Sequence, residues 1–423
     1  MRICIIGAGY VGIPLAVEFS RHYDTVVFDI DKDKIKKLKE GLDPTMHFTP
    51  DELKKSNIFF THNESDIKSC NIIFIAVPTP LTKSKKPDLY PLENASEICG
   101  RNLSKGSIVV YESTVYPGVT EEVCIPILES NSGLKCGGDF KVGYSPERIS
   151  PGDKIRTVSN LVKVVSGIDD ETAEELCRIY SKIIKVGVFK AKNIKVAEAA
   201  KVIENTQRDI NIALINEFAL IFNRMGIRTK DVLEAASTKW NFHKYTPGLV
   251  GGHCISVDPY YLLYKSEEVG YHPKVILAGR DVNDFMPKHV AELVIKGLNE
   301  AGKVLKDSKV LILGFTFKEN INDTRNTRVL EVFNSLEEFG IKVYVHDPWL
   351  SNEEIKRFGI ESVQIESLVG IDCVVLAVAH DCFKVLTLDK LLKIMGKNPV
   401  LVDIKYLFDE SEAFKNGFIY KSL

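Results

Sequence analysis

The sequence predicts an α/β protein in which two doubly wound parallel-sheet domains are joined by a helical middle domain with a long central helix. Three observations lead to this fold class. Short, nearly continuous apolar runs alternate with helical segments near both ends of the 423-residue chain, which is typical of parallel strands covered on both faces. The two ends repeat the same pattern. Between them lies a helical run that is too long for a crossover helix in a small unit.

The first domain is expected over residues 1–192. Its opening segment reads as a short apolar strand, a glycine turn and a helix with apolar residues at helical spacing. Further strands are predicted from the runs DTVVFDID, CNIIFIAVPTP, GSIVVYESTV, the weaker DFKVGYSPER, LVKVVSG and IIKVGVF.

The middle domain is expected over residues 193–305. The run NIKVAEAAKVIENTQRDINIALINEFALIFNR begins at Asn193 and contains neither proline nor glycine, which predicts one long helix. We expect this helix to be the spine of the domain and the contact through which two subunits form a homodimer.

The third domain is expected over residues 306–423, because strand, turn and helix patterns return in SKVLILGFTFK, IKVYVHDP, DCVVLAVAHD and NPVLVDIKYLF. Its first turn has one glycine, Gly314, and could not fold around a dinucleotide as a three-glycine turn does. Lys318, Arg325 and Arg328 follow it. These cations suit a smaller phosphorylated ligand such as a nucleoside diphosphate, or they are ordinary solvated basic residues.

Composition excludes several classes of protein. A formal net charge of −2 gives no general reason to expect nucleic-acid or membrane-surface binding. The nine cysteines are odd in number and include no C-x-x-C pair, which argues against a disulfide framework and a structural zinc site, so no metal is expected. No stretch approaches the roughly 18 apolar residues of a membrane span. The expected location is the cytoplasm, with reduced thiols.

The first glycine turn has the pattern of a dinucleotide site. Gly7, Gly9 and Gly12 form G-x-G-x-x-G between a strand and a helix, and Asp29 follows the next strand. Glycines let the backbone approach a pyrophosphate at the helix N-terminus, and the aspartate can bind ribose hydroxyls while repelling a 2′-phosphate. The expected cofactor is therefore NAD. The alternative is that the same pattern marks only a tight strand-to-helix turn followed by a surface aspartate. The residues expected to contact NAD here are Gly7, Gly9, Tyr10, Val11, Gly12, Asp29 and Lys34.

Two polar residues of the long helix point to carbonyl chemistry. Lys201 and Asn205 are four positions apart and hence share one face. Beside a nicotinamide they could hold or deprotonate an alcohol and stabilise the oxyanion of a developing carbonyl. Glu204 should point elsewhere and need not neutralise the lysine. The alternative is a surface lysine and an asparagine without a role.

The stretch GGHCISVDPYYL contains Cys254, which is either a reactive thiol or a small packing residue. In an NAD enzyme a thiol can add to an aldehyde, and hydride loss then gives a thioester that water cleaves to the acid. A helix is expected after it, with Asp258 as N-cap, Pro259 in the first turn and Gly270 past its end. A thiol near a helix N-terminus has a stabilised thiolate.

The neighbours of this thiol allow more than one role. Asp258 can cap the helix, assist a water molecule or act on Lys201. Local geometry does not force the side chains of His253 and Cys254 together. We therefore expect His253 to be a loop or substrate contact, as is usual for a histidine in a glycine-rich loop.

Motifs along the whole chain resemble those of the UDP-glucose/GDP-mannose dehydrogenase family. They are GAGYVGIPLA, AVPTPL, ESTVYPG, GYSPERISPGD, VAEAAKVIENTQRDINIALINE, GGHCISVDPYYL and LGFTFKENINDTRNTRV, in family order. The resemblance implies an NAD-binding Rossmann domain, a helical dimerising domain and a Rossmann-like domain that binds a UDP-sugar. Members oxidise C6 of a nucleotide sugar twice, reducing two NAD to form a uronic acid.

The resemblance also implies roles for single residues. Cys254 would be the nucleophile, with Lys201 and Asn205 stabilising the alkoxide and oxyanion. Thioester hydrolysis would use a water molecule near a further set of side chains, namely Glu147, Asp258 and Thr114. Thr79 and Thr114 would lie by the nicotinamide. Substrate contacts would come from Glu147, Arg148, Lys201, Asn205, Tyr245, Gly248, Gly251, His253, Lys318 and Arg325.

The sequence departs from glucose-specific members, which resemble GG-S/Y-C-x-P-KD at the nucleophile. Its GGHCISVD and ENINDTRNTRV segments look like the branch that acts on UDP-N-acetylhexosamines, whose products feed capsule, O-antigen or other envelope polysaccharides. UDP-glucose 6-dehydrogenase remains an alternative. So do a two-electron β-hydroxyacid dehydrogenase, which needs neither a thiol nor a second α/β domain, and a non-catalytic NAD-responsive protein.

Overall fold

The structure is a computed structural model that describes residues 1–45, 47–149 and 157–423. Those residues divide into two compact units, one formed by Met1–Glu204 with Tyr260–His272 and the other by Asn205–Pro259 with Pro273–Leu423. The expected division into three domains stays a prediction. The end of the GYSPERISPGD motif, residues 150–153, lies outside the described residues.

In the described part of the first unit, eight strands form one sheet in the order β3-β2-β1-β4-β5-β6-β7-β8. The pairs are parallel except β6 with β7, which is antiparallel. Because β1 pairs with both β2 and β4, the strand order reverses at β1, where ligands of doubly wound sheets bind. The strands are β1 Arg2–Ile6, β2 Asp24–Phe28, β3 Ile58–Thr61, β4 Ile72–Ile75, β5 Ile108–Tyr111, β6 Lys141–Tyr144, β7 Lys163–Gly167 and β8 Val188–Lys190.

Six of the seven strands predicted here match strands of this sheet, whose central strands are buried on both faces. Strand β3 was not predicted, and the run IIKVGVF overlaps β8 only at Val188 and Phe189. All four residues of β4 are buried, as are the last four of β1, so both strands need continuous apolar sequence. The crossover helices are α1 Gly12–Ser20, α2 Lys32–Lys39, α3 Pro50–Lys55, α4 Tyr90–Arg101, α5 Ile125–Ser132 and α6 Asp170–Tyr180. A π-helical turn, Thr120–Cys124, leads into α5.

The long helix α7 spans Ile194–Met225, 32 residues, within one residue of the bounds predicted from the absence of proline and glycine. It is followed by α8 Thr229–Ala236, α9 Asp258–Glu268 and α10 Lys274–Glu300. No helix of the described residues combines the length and apolarity that a membrane crossing needs.

The second unit contains a parallel sheet of five strands among its described residues, in the order β10-β9-β11-β12-β13. Apolar clusters cover both faces, one of them including residues of α10 and α11. The strands are β9 Lys309–Leu313, β10 Lys342–His346, β11 Ile371–Leu376, β12 Met395–Asp403 and β13 Ile419–Lys421. The helices are α11 Val329–Glu337, α12 Asn352–Lys356, α13 Leu388–Ile394 and α14 Glu410–Lys415.

Candidate active site

The glycine turn between β1 and α1 has a different requirement at each glycine. Gly7 has φ 106°, and a Cβ there would lie 2.5 Å from the carbonyl oxygen of Ala76. A Cβ on Gly12 would lie 1.8 Å from the carbonyl oxygen of Gly7, whereas a Cβ on Gly9 would meet nothing within 4 Å. The open space is therefore at the middle glycine, where a pyrophosphate approaches the backbone in dinucleotide turns. These residues fit NAD.

Asp29 is fixed next to this turn. Its carboxylate accepts hydrogen bonds from the backbone N–H of Ala8 at 2.8 Å and of Asp31 at 2.9 Å. Lys34 donates from Nζ to the same carboxylate at 2.9 Å. A carboxylate offers about four acceptor positions, so Asp29 keeps capacity for a ribose hydroxyl. Lys34, which was predicted as a cofactor contact, holds the aspartate.

The two threonines predicted beside the nicotinamide lie together, although 35 residues separate them. The hydroxyl of Thr79 donates to the carbonyl oxygen of Thr114 at 2.7 Å. Tyr261 donates its phenolic O–H to the carbonyl oxygen of Thr79, and Ser113 donates to that of Val77 at 2.7 Å. These bonds fix the two loops that leave the carboxyl ends of β4 and β5.

Glu147 is held by its own loop. One oxygen accepts from the backbone N–H of Arg148 at 2.6 Å and of Ile149 at 2.8 Å. The other lies 3.4 Å from Nζ of Lys163. With 11% of its side chain exposed, this carboxylate is fixed in direction and retains some access to solvent, as activation of a water molecule requires.

Lys163 belongs to a buried ionic cluster that the sequence reasoning missed. Its ammonium donates to Glu112 at 2.5 Å and to the carbonyl oxygen of Pro146 at 3.1 Å, and Tyr180 donates to Glu112. Burial raises the pKa of Glu112 to about 7, against the opposing charge of Lys163. A lysine inside the apolar run LVKVVSG was the available signal, because a buried cation needs a partner.

Two glutamates of α7, Glu204 and Glu198, have partners within the first unit. Arg148, a predicted substrate contact, pairs with Glu204 at 2.7 Å, so Glu204 is directed to an arginine, in line with the expectation that it need not neutralise Lys201. Lys201 is 8% exposed and is therefore not the surface lysine of the alternative interpretation. One turn earlier on α7, Glu198 accepts from the backbone N–H of Gly118 at 2.6 Å and of Thr120 at 3.0 Å.

Cys254 and His253 form a close pair in the second unit. The distance from Sγ of Cys254 to Nδ1 of His253 is 3.1 Å, although local geometry does not oblige sequence neighbours to meet. The other ring nitrogen, Nε2, lies 4.0 Å from an oxygen of Asp323. The expectation that His253 serves chiefly as a loop or substrate contact therefore omitted its contact with the thiol.

Asp258 is joined to the asparagine of the long helix. Nδ2 of Asn205 donates to Oδ2 of Asp258 at 2.5 Å, and the carboxylate is 3% exposed. Asp258 was predicted as the N-cap of α9, but it is the first residue inside that helix. Its backbone N–H donates to the carbonyl oxygen of Cys254 at 2.8 Å. The thiol, the carboxylate and the amide are therefore parts of one local structure.

Predicted substrate contacts in the second unit are positioned by asparagines. Asn216 both donates to the carbonyl oxygen of Gly248, at 3.1 Å, and accepts from its N–H, at 2.8 Å. Asn211 donates to the hydroxyl of Tyr245 at 3.3 Å. A Cβ on Gly251 would lie 2.7 Å from the carbonyl oxygen of Asn326. Backbone approach therefore explains the glycine at position 251.

The two predicted nucleotide-binding cations differ in surroundings. Lys318 is exposed, and its carbonyl oxygen accepts from the hydroxyl of Thr316 at 2.9 Å. Arg325 donates to both oxygens of Asp323, with Nη2 at 2.5 Å, and 46% of its side chain is exposed. Both side chains therefore remain accessible to a phosphorylated ligand.

Comparison with known proteins covers the chain from end to end. Models of the UDP-glucose/GDP-mannose dehydrogenase family match it three times: the NAD binding domain at residues 1–184, the central domain at 195–285 and the UDP binding domain at 311–410. The match to the NAD binding domain agrees with the glycine turn described above, and the match to the UDP binding domain covers Lys318 and Arg325.

The chain is also similar over nearly its whole length to individual nucleotide-sugar dehydrogenases. The chain is 51% identical over 415 residues to a UDP-N-acetyl-D-glucosamine 6-dehydrogenase of Pseudomonas aeruginosa, covering 98% of each chain. A UDP-D-ManNAc dehydrogenase structure from Pyrococcus horikoshii has a TM-score of 0.90 and 31% identity, covering 100% of this chain and 99% of that one. An NDP-N-acetyl-D-galactosaminuronic acid dehydrogenase structure from Methanosarcina mazei Go1 has a TM-score of 0.87 and 31% identity, covering 100% and 94%.

Proposed function

This chain belongs to the UDP-glucose/GDP-mannose dehydrogenase family and is an NAD-dependent nucleotide-sugar 6-dehydrogenase; we propose that its substrate is a UDP-N-acetylhexosamine. The oxidation is a four-electron one at C6 that yields the UDP-N-acetylhexosaminuronic acid. The observation that carries the proposed chemistry is Cys254, whose thiol lies 3.1 Å from an imidazole and one helical turn before the Asn205–Asp258 pair.

The substrate class is supported by three of the relatives and solved structures, which are named for N-acetylated sugars. The relative at 51% identity is named for UDP-N-acetylglucosamine, and the structures at 31% identity for N-acetylmannosamine and N-acetylgalactosamine derivatives. UDP-N-acetylglucosamine is therefore the first substrate to test. The acid product would supply an envelope, capsule or O-antigen polysaccharide.

The first oxidation turns the primary alcohol at C6 into an aldehyde. In the proposal, Lys201 and Asn205 bind the C6 oxygen and stabilise its negative charge as hydride leaves. The chemistry that bound NAD supplies is hydride acceptance. Asp29 would bind the adenosine ribose hydroxyls of NAD and, through its charge, would disfavour a cofactor with a 2′-phosphate.

The second oxidation requires that a nucleophile first add to the aldehyde, because direct loss of hydride would leave an unstable acylium ion. In the proposal, that nucleophile is a thiol of the enzyme. The thiol of Cys254 adds to C6 to form a thiohemiacetal, and loss of the second hydride leaves a thioester. For hydrolysis of the thioester by water, the proposal assigns roles to Glu147, Asp258 and Thr114. Overall R–CH₂OH and H₂O give R–COO⁻, two hydrides and three protons.

The test is an NADH assay against UDP-N-acetylglucosamine, its galacto and manno epimers, and UDP-glucose. The proposal expects two NADH per sugar and a uronic acid by mass spectrometry with at least one N-acetylated substrate. One NADH with a ketone product would instead indicate a β-hydroxyacid dehydrogenase. Preference for UDP-glucose would reject the assigned substrate class.

Removal of the thiol tests the covalent step. Cys254→Ala should bind NAD and UDP-sugar as the wild type does and lose acid formation by about a thousandfold or more, as expected for loss of a nucleophile. Cys382→Ala, an exposed cysteine of the same unit, is the matched control and should keep full activity. Acid formation by Cys254→Ala at the wild-type rate would refute the thioester route.

The proposal also includes a homodimer formed through α7 and a cytoplasmic location. Helix α7 presents large apolar side chains that are exposed in the single chain, among them Ile203 at 55% and Leu214 at 46%. Sedimentation of the purified protein tests the dimer. A monomer at assay concentrations would reject it without affecting the proposed chemistry.

A further inference from the structure

Two segments that set this sequence apart from the glucose-type pattern meet in the second unit. His253, which precedes the nucleophile, lies between the thiol of Cys254 at 3.1 Å and a carboxylate oxygen of Asp323 at 4.0 Å. Asp323 comes from the ENINDTRNTRV segment, about 70 residues later in the chain. A thiol, an imidazole and a carboxylate are therefore arranged in sequence, as in enzymes whose cysteine is activated by a base.

We propose that His253 is a catalytic residue that accepts the thiol proton of Cys254, and that Asp323 is a positioning residue for His253. This inference rests on the proposed function, in which Cys254 is the nucleophile. It assigns to His253 a role beyond substrate contact, and it gives the ENINDTRNTRV segment a part in thiol activation.

The proposed proton transfer requires one tautomer of the imidazole. Nδ1 faces Sγ and must be unprotonated to accept the S–H proton, so the ring hydrogen of neutral His253 is on Nε2, on the side of Asp323. At 4.0 Å the carboxylate is beyond hydrogen-bond length. It still favours a positive charge on the ring, because opposite charges within about 4–6 Å stabilise one another.

The proposed step is balanced without a further reactant. The S–H proton moves to Nδ1, and the thiolate electron pair forms the bond to the aldehyde carbon C6. The π pair of the carbonyl moves to its oxygen, which takes up the proton from the imidazolium. Thiol and aldehyde therefore give a neutral thiohemiacetal, and His253 returns to its initial state for the next turnover.

The charged groups around His253 decide how strongly its cationic form is favoured. Asp323 also accepts from Arg325 at 2.5 and 3.0 Å, which offsets part of its charge. Asp258, four residues after Cys254, is engaged by Asn205. Within this unit Asp323 therefore acts on His253 through a partial electrostatic effect, and its removal should matter less than removal of His253.

The loop that carries the pair is fixed on several sides, which gives the thiol–imidazole contact a defined geometry. Gly252 has φ 89°, and a Cβ there would lie 2.7 Å from the ring of Phe317. The ring of His253 packs edge-on against Phe317, with centroids 6.0 Å apart. Asn326 donates to the carbonyl oxygen of Gly252 at 3.0 Å, and Ser256 donates to it at 2.5 Å.

The experiment measures the thiol in the resting enzyme, without turnover. The full-length protein is alkylated with iodoacetamide from pH 5 to 10, and modification of Cys254 is followed by peptide mass spectrometry. The wild-type rate should titrate with a midpoint below about 7.5, against about 8.5 for a free thiol. In His253→Gln, which keeps a hydrogen-bonding side chain but accepts no proton, the midpoint should rise towards 8.5. The rate at pH 7 should fall about tenfold.

Two further variants separate the proposal from a structural effect. Asp323→Asn should raise the midpoint by less than His253→Gln does, and His272→Gln, an exposed histidine outside the site, should leave it unchanged. Binding of UDP, measured by calorimetry, verifies that each variant is folded. A wild-type midpoint near 8.5, or a His253→Gln profile that superimposes on the wild type, overturns the inference.

The same data distinguish this failure from failure of the proposed function. If Cys254→Ala still forms acid, the thioester route is wrong whatever the alkylation midpoint. If Cys254→Ala is inactive while His253→Gln keeps the wild-type alkylation profile, Cys254 is the nucleophile and His253 is not its base.

Discussion

The turns after β1 and β9 have the same backbone arrangement, a glycine with positive φ and a carboxylate that accepts backbone hydrogen bonds. They differ in the side chains that occupy the space beside the carboxylate. Each begins with a left-handed glycine, Gly7 with φ 106° and Gly314 with φ 89°. Each is tied to a carboxylate that follows the neighbouring strand. Asp29 accepts from the N–H of Ala8, and Asp347 accepts from the N–H groups that follow Gly314, at 2.6 and 3.0 Å. The two regions that resemble each other in sequence therefore also share this hydrogen bond between a carboxylate and the glycine turn.

The difference lies in the space beside the carboxylate. In the first turn a Cβ added to Gly9 would have no neighbour within 4 Å, and Asp29 keeps acceptor capacity. In the second turn the imidazole of His380 lies 3.1 Å from Asp347, and both side chains are fully buried. The buried ring of Phe315 follows the glycine there. One scaffold thus leaves room for a pyrophosphate at the first turn and is filled by side chains at the second.

The largest effect should come from the residues that the turns have in common. Gly7→Ala and Gly314→Ala should each lower the free energy of unfolding by about 3 kcal/mol or more. Each adds a Cβ at 2.5 Å from a neighbour in a backbone conformation that disfavours side chains. Urea denaturation measures this loss. Gly9→Ala is the matched control and should change stability by less than about 0.5 kcal/mol; tolerance of either other variant would contradict the shared backbone arrangement.

A smaller effect should distinguish the open turn from the filled one. Gly9→Val places side-chain atoms where a pyrophosphate approaches the backbone, so the Kd for NAD should rise by about 10- to 100-fold. The Kd for UDP and the unfolding midpoint should not change. Isothermal titration with each ligand makes the comparison. Equal weakening of UDP binding would mean that the two turns do not act separately.

The last comparison concerns pH, because the pKa of Glu198 in the first unit is raised and that of Asp347 in the second unit is lowered. Burial raises the pKa of Glu198 to about 7, and the hydrogen bonds from Gly118 and Thr120 oppose this. Its stabilising contribution is therefore complete below the ordinary glutamate value and is lost as the pH rises through 7. Burial acts in the same direction on Asp347, but hydrogen bonding and the charge of His380 outweigh it and lower the pKa. The contribution of Asp347 is lost as the pH falls.

Unfolding free energies measured by urea denaturation from pH 5 to 8 test whether the contribution of Glu198 falls as the pH rises. Replacement of Glu198 by glutamine should remove up to about 1.4 kcal/mol per pH unit from the decline at rising pH. Asp347→Asn should leave the decline above pH 5 as it is, since Asp347 titrates at lower pH. A wild-type slope that persists unchanged in Glu198→Gln would show that Glu198 does not titrate in this range.

Parts of the candidate site were predictable because their signals are local. A strand, three glycines and an aspartate after the next strand specify the first turn, and the long helix follows from an uninterrupted helical pattern. Lys201 and Asn205 share a helix face by spacing alone. Thr79 and Thr114 were expected beside the nicotinamide only through the family resemblance, and the hydrogen bond between them was not predicted, since nothing local links positions 35 residues apart.

Other parts could not be predicted, because their meaning depends on a partner elsewhere in the chain. From the sequence, Lys163 is only a charged residue within a strand. Its role in a buried cluster depends on Glu112, to which both Lys163 and Tyr180 donate hydrogen bonds. From the sequence, His253 is only a histidine in a glycine-rich loop. The structure shows that its ring lies between the thiol of Cys254 and the carboxylate of Asp323.

The sequence by itself determined the order of the elements, the glycine turn and the chemical types of residue available for catalysis. These depend on backbone freedom and side-chain periodicity, which act over a few residues. The tertiary structure decided which charges are paired and which turn stays open. Those outcomes depend on burial and on distances of a few ångströms between residues far apart in the chain, and only packing sets them.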